Sequence, residues 1–174
     1  TVGRRCVRGD TAAAVTTRRY SPANYNSEMG RESTVWIPNI GSCVFDIPAD
    51  EAHRSVAVLS RGEQWSPLRS LVFREVMDRG VRVCEIGSDF GWFAVQAASL
   101  GATVLVVEPD ARWRDITESN LRHNGLLDAT VRAAPVGVAD GDWDVLRIGA
   151  EEALVPLLRD APTVFQRARA IVLS

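Results

Sequence analysis

Lysine is absent, and all 20 basic residues among the 174 are arginine. Without a lysine amine, Schiff-base chemistry on a pyridoxal-type cofactor and a Walker-type phosphate grip are excluded. Cysteine is scarce: Cys6, Cys43 and Cys84 form no C-x-x-C pair. That spacing excludes a zinc site built on cysteine pairs and argues against a disulfide framework, so reduced, cytoplasmic surroundings are expected. The two histidines, His53 and His123, lie far apart in the sequence and form no ligand cluster with each other, so no metal is expected. No apolar run approaches the roughly 20 residues of a membrane span, which argues against a membrane partner. An excess of charge of one sign is missing too. With 22 acidic residues and a net charge of −2, there is no electrostatic footprint for nucleic acid. The chain opens on Thr1 with neither Met nor an apolar signal core, so the natural N-terminus is expected to lie upstream.

What is present is a foldable composition, 46% hydrophobic and 24% charged, enough apolar surface to offset the entropy of ordering. Residues 1–41, rich in Arg, Ser, Thr, Asn and Gly, read as an irregular N-terminal arm, with a turn-forming run from Tyr20 to Asn26. Residues 42–80 form a strand (42–47), a helix from Asp50 to about residue 60, and a second helix opened by Ser66-Pro67 and closed by Arg79-Gly80. In that second helix Leu68, Leu71, Val72, Val76 and Met77 follow helical spacing. From residue 81 to 174 strands and helices alternate. Strands are expected at 81–86, 103–107, 130–134, 144–148 and 170–173, with helices at 92–100, 111–123 and 150–160. The alternation predicts an α/β fold with a doubly wound, mainly parallel sheet that is expected to end at its fifth strand.

The chemistry concentrates in Glu85-Ile86-Gly87-Ser88-Asp89-Phe90-Gly91, between the first strand and first helix of that unit. In such sheets ligands sit at the carboxyl ends of the strands, near the reversal of strand order. Gly87 permits a sharp turn and close approach of backbone to ligand, and Gly91 permits close packing at the helix start. Glu108 ends the second strand, 21 positions after Gly87, where a carboxylate can accept from both hydroxyls of an adenosine ribose. A dinucleotide site asks for G-x-G-x-x-G beneath its pyrophosphate. Here the pattern is acid-x-G-x-x-x-G, and the carboxylates of Glu85 and Asp89 oppose a pyrophosphate but suit the ammonium and sulfonium charges of S-adenosylmethionine. An NAD-linked oxidoreductase remains the other nucleotide-binding option.

From about residue 44 onward, and most closely over 83–125, the chain resembles the FkbM-type family of S-adenosylmethionine-dependent methyltransferases. The resemblance rests on the Glu85–Gly91 loop, on Glu108-Pro109, on Asn120 with Asn124-Gly125, and on the Gly62-Glu63-Gln64-Trp65 turn. It implies a Rossmann-like methyltransferase domain that transfers a methyl group to a hydroxyl of a small sugar or natural-product acceptor. The residues expected at the cofactor are Glu85, Gly87, Ser88, Asp89, Gly91, Glu108, Pro109, Asn124, Asp140 and Trp65. Trp65 and Trp92 flank the pocket in sequence, where an aromatic face can meet a sulfonium, although packing explains either residue. Catalytic candidates are Glu151, which follows the fourth strand, and His53, on the helix before the nucleotide domain. His123 lies on the last turn of a helix, where a cation complements the macrodipole.

The chain departs from the family at two places. Where Lys-Ile-Asp-Val-Glu-Gly is usual, it has Arg147-Ile148-Gly149-Ala150-Glu151-Glu152, without the acid on the acceptor side. Related sheets also continue with an antiparallel strand pair, so the domain is expected to be incomplete at its C-terminus. The apolar run Ala170-Ile171-Val172-Leu173 is then expected to meet a partner chain or a second copy at the fifth-strand edge. The alternative function is a non-catalytic methyltransferase-like module used for interaction or scaffolding.

Overall fold

The computed structural model describes residues 31–48, 54–133, 138 and 141–173. His53, Asp140, Cys6 and the Tyr20–Asn26 run lie outside the described residues.

Two strands, β1 (Arg31–Ile37) and β2 (Gly41–Ile47), form an antiparallel hairpin in register from Arg31↔Ile47 to Ile37↔Gly41. Part of the stretch read as an irregular arm is therefore a strand. Its signal, Val35 and Ile37 buried around an exposed Trp36, is two residues long and masked by the polar Arg31-Glu32-Ser33-Thr34 before it. Two short helices follow, α1 (Arg54–Leu59) and α2 (Pro67–Glu75).

The remainder is a five-stranded parallel sheet in the order β5-β4-β3-β6-β7. Its strands are β3 (Arg82–Ile86), β4 (Thr103–Val107), β5 (Thr130–Arg132), β6 (Val145–Ile148) and β7 (Ala170–Leu173). Helices α3 (Trp92–Ser99), α4 (Ala111–His123), α5 (Glu151–Asp160) and α6 (Pro162–Arg167) make the crossovers. Strand order reverses between β3 and β6.

The two-residue period of a strand sends alternate side chains to opposite faces, and each face has its own core. Val83, Val104, Val106 and Val145 join a cluster with the hairpin, α3 and α4. Cys84, Ile86, Leu105, Val107, Leu146 and Ile148 pack with residues of α5 and α6 on the other face. This matches the expected doubly wound fold, with α6 added where Ala161-Pro162 opens one more turn.

Three local readings change. On α2 the buried face is Ser70, Phe73 and Arg74, while Leu68, Leu71 and Val72 are exposed. Ser70 Oγ accepts from Trp92 Nε1 (2.7 Å) and Arg74 Nη1 donates to Gln96 Oε1 (2.8 Å), so a polar seam joins α2 to α3. On β7, Ile171 and Leu173 are 43% and 53% exposed, so this edge strand is covered on one face rather than two. Cys43 is disulfide-bonded, contrary to the expectation of reduced thiols. Cys84 is free and buried, and burial, with Glu85 beside it, pushes its thiol up to about 12. Among the described residues no helix is long and apolar enough to cross a membrane.

Candidate functional site

The Glu85–Gly91 loop leaves the carboxyl end of β3, beside the reversal of strand order. Three of its residues adopt left-handed backbone: Gly87 (φ 74°), Asp89 (φ 53°) and Gly91 (φ 77°). A Cβ on Gly87 would stand 2.7 Å from Ala150 Cβ and 2.8 Å from Ala150 N. The first thing Gly87 makes room for is thus the chain's own turn after β6. A Cβ on Gly91 would lie 2.9 Å from Thr117 Cγ2, the close helix-start packing expected of that residue.

Glu108, just past β4, turns its carboxylate onto the loop. Oε2 accepts from Ser88 N–H (2.8 Å) and Ser88 Oγ (3.2 Å), and Oε1 accepts from Asp110 N–H (3.1 Å). Thr117 Oγ1 lies 2.9 Å from Ser88 Oγ and donates to Asp89 O (3.4 Å). The loop is therefore held from α4 by a residue that sequence reading did not single out. Asp110 caps α4, accepting from the N–H groups of Arg112 (2.8 Å) and Trp113 (3.2 Å). Arg114 Nη1 bonds the carbonyls of Glu108 and Pro109 (3.0 and 3.2 Å), fixing the Glu-Pro turn.

Glu85 does not face the open side of the loop. Its side chain is fully buried, and Arg147 Nη1 donates to its Oε1 at 3.0 Å. Burial pushes the Glu85 carboxyl up to about 7, against the opposing pull of Arg147. The paired-carboxylate argument is corrected accordingly: Arg147 offsets the charge of Glu85, and Asp89, half-buried, carries the negative potential of the loop.

Arg147 also donates to the carbonyl of Gly87 and lays its guanidinium 4.5 Å from the centroid of Phe93. A Cβ on Gly149 would collide with that guanidinium and with the Gly87 carbonyl. Arg147 and the Gly87 carbonyl thus leave no room for a side chain at position 149.

The remaining expected residues divide. Asn124 turns its amide to the hairpin. Its Oδ1 accepts from Val44 N–H (2.9 Å), and its Nδ2 donates to the carbonyls of Val44 and Asn120 (both 2.7 Å). One turn earlier, Asn120 accepts from Asp46 N–H (2.6 Å) and donates to Phe90 O (2.7 Å). The Asn-x-x-x-Asn pair therefore docks β2 onto α4, and Asn120 reaches the loop as well. Trp65 is half-buried and packs against the main core, and Trp92 is buried there with its N–H on Ser70. Glu151 opens α5 directly after the Gly149-Ala150 turn. A cavity of about 320 Å³ lined by Glu75–Asp78, Arg169 and Ala170 opens at the other, amino end of the sheet.

No protein-family model matches the chain, and no curated protein matches it. Solved structures do. A precorrin-6Y C5,15-methyltransferase from Geobacter metallireducens GS-15 matches with a TM-score of 0.51 and 21% identity, over 60% of this chain and 60% of that one. A precorrin 8W decarboxylase from Methanobacterium thermoautotrophicum matches with a TM-score of 0.50 and 17% identity, over 59% and 57%. WbdD matches with a TM-score of 0.53 and 14% identity, over 70% of this chain and 32% of that one. The likeness spans 60% or less of each of these proteins, and nothing in it points to the FkbM type in particular. What these structures and the strand order establish together is a Rossmann-like fold of the methyltransferase kind.

Proposed function

We propose that the chain is an S-adenosylmethionine-dependent methyltransferase of FkbM type, acting on a hydroxyl of a small sugar or natural-product acceptor. The observation that carries this reading is Glu108, a carboxylate at the end of the second parallel strand, bonded to the backbone of the glycine loop. Its two oxygens offer about four lone pairs and accept three protein bonds, so acceptor capacity remains for a ribose hydroxyl. Asp89, half-buried on the same loop, suits the ammonium group of the cofactor.

When bound, S-adenosylmethionine supplies an electrophilic methyl group on a positively charged sulfur. The chain's part is to hold the acceptor oxygen in line with that methyl and to exclude water. A base must also take the hydroxyl proton as the oxygen–carbon bond forms and the carbon–sulfur bond breaks. Glu151, which opens α5 after the β6 turn, is the candidate for that role, with His53 the other.

A second reading, a non-catalytic interaction module, is favoured by Arg147, whose guanidinium fills the space beside Gly149 and offsets Glu85. Calorimetric titration with S-adenosylmethionine, followed by turnover on hydroxylated acceptors, separates the readings. Binding with turnover supports the enzyme, and binding without turnover supports the module. Tight NAD binding in the absence of S-adenosylmethionine binding overturns both.

A partner chain or second copy at the outer edge of β7 belongs to the same proposal. Exposed Ile171 and Leu173 would lie in that contact.

A further inference from the structure

We propose that Glu32, Asp46 and His123 form a binding site for a divalent transition-metal ion of the zinc type, clasping the β1–β2 hairpin to the end of α4. Glu32 and Asp46 are directly paired across the hairpin, which puts their side chains on one face of the ribbon. The last turn of α4 brings His123 to them. One donor atom from each residue lies within 4.8 Å of the other two. Nδ1 of His123 and Oδ1 of Asp46 are 3.5 Å apart. Two ligand atoms on a tetrahedral zinc with ordinary bond lengths are about 3.4 Å apart, so this pair is already spaced as neighbouring ligands.

The second observation is an unmet demand. Asp46 is only 3% exposed. Its Oδ2 accepts the hydroxyl proton of Ser119 at 2.5 Å and its backbone N–H bonds Asn120, which fixes the carboxylate with Oδ1 toward His123. Oδ1 of Asp46 and Nδ1 of His123 are both buried without a hydrogen-bond partner. Burying a charged oxygen without a hydrogen bond is unfavourable, and here the two atoms face each other only as an ion pair at 3.5 Å. Among the described residues no arginine pairs with Glu32 or Asp46, and Arg122, in the same turn as His123, faces Glu118 at 3.6 Å. The carbonyl end of α4 adds further negative potential. A dication answers all of these at once.

One imidazole nitrogen and two carboxylate oxygens select a borderline cation over a thiolate-seeking one or a purely oxygen-seeking one. Three protein ligands leave one position for water, and Ser119 supplies the supporting hydrogen bond that such ligands usually have. Glu32, at the exposed end of β1, is the ligand free to swing in. The ion would tie the hairpin to the helix that holds the Phe90 carbonyl through Asn120.

The test is calorimetry and thermal melting of the full chain, freed of metal by chelator and titrated with zinc chloride alone. We expect one zinc per chain, a raised melting temperature, and affinity weakened by about tenfold or more in both Glu32→Gln and His123→Gln. Glu32 is exposed, so its variant tests the site even if replacing His123 disturbs folding. Absence of zinc binding, affinity unchanged in the Glu32 variant, or equally tight binding of magnesium would overturn the proposal. His123 would then be an ordinary ion-pair partner of Asp46.

Discussion

Arg147 donates to Glu85 at 3.0 Å beneath the glycine loop, joining the two strands between which the sheet reverses its order. The pair stands where the sequence alone suggested an unopposed acidic rim, and it makes the loop's foundation sensitive to pH.

Because burial raises the Glu85 carboxyl from 4.5 to about 7, folding favours its protonated form. The associated stability is fully present below pH 4.5 and is lost as pH rises through about 7, by at most about 1.4 kcal/mol per pH unit. Urea unfolding between pH 4.5 and 8 should reveal this decline in the wild type and a flatter curve in Glu85→Gln. Parallel curves would remove Glu85 as the source.

Replacing Glu108 by Ala should weaken S-adenosylmethionine binding by roughly 1.5–3 kcal/mol, the range for hydrogen bonds to a charged group. Folding should weaken as well, because the N–H groups of Ser88 and Asp110 lose their acceptor. Calorimetry on the folded variant checks the first effect and thermal melting the second. Unchanged affinity would mean the ribose is held elsewhere.

At Gly87 even a Cβ meets Ala150. Gly87→Val should therefore abolish cofactor binding and lower the melting temperature. A Val variant that binds and melts normally would show that neither ligand nor β6 turn approaches the loop.

Gly149→Ala should destabilise the fold by about 1–3 kcal/mol, the usual cost of overpacking. The cost should shrink in a Glu85→Gln/Arg147→Met background, where the guanidinium no longer fills the space. A double-mutant cycle with no coupling would contradict the steric account.

Asn124→Ala should cost about 1–3 kcal/mol through the unpaired backbone groups it leaves at Val44. Hydrogen exchange should show the loss of protection centred on β2 rather than on β3. Unaltered exchange at Val44 would mean that the hairpin does not depend on the amide.

Much of the nucleotide-type domain was legible along the chain. The alternation of apolar strands and helices, the Gly87 and Gly91 turn, Glu108 beyond its strand and Asn124-Gly125 as a helix stop all follow from neighbours a few residues apart. Such features report backbone preference and local periodicity, which short segments already contain. The reading of α2 changed for the same reason: spacing located its apolar stripe at Leu68, Leu71, Val72, Val76 and Met77, but packing with α3 buried Ser70, Phe73 and Arg74, and of that stripe Val76 and Met77 pack against the core.

Tertiary structure alone decided who meets whom. The register of β3 against β6 sets Arg147 beside Glu85 across 62 positions, and Gly149 has meaning only once that guanidinium is in place. The hairpin, resting on Asn120 and Asn124, brings Glu32 and Asp46 to His123. These contacts depend on strand order and on which helix face turns inward. Both are chosen by burial of the whole core at once, a collective quantity that no short window of sequence contains.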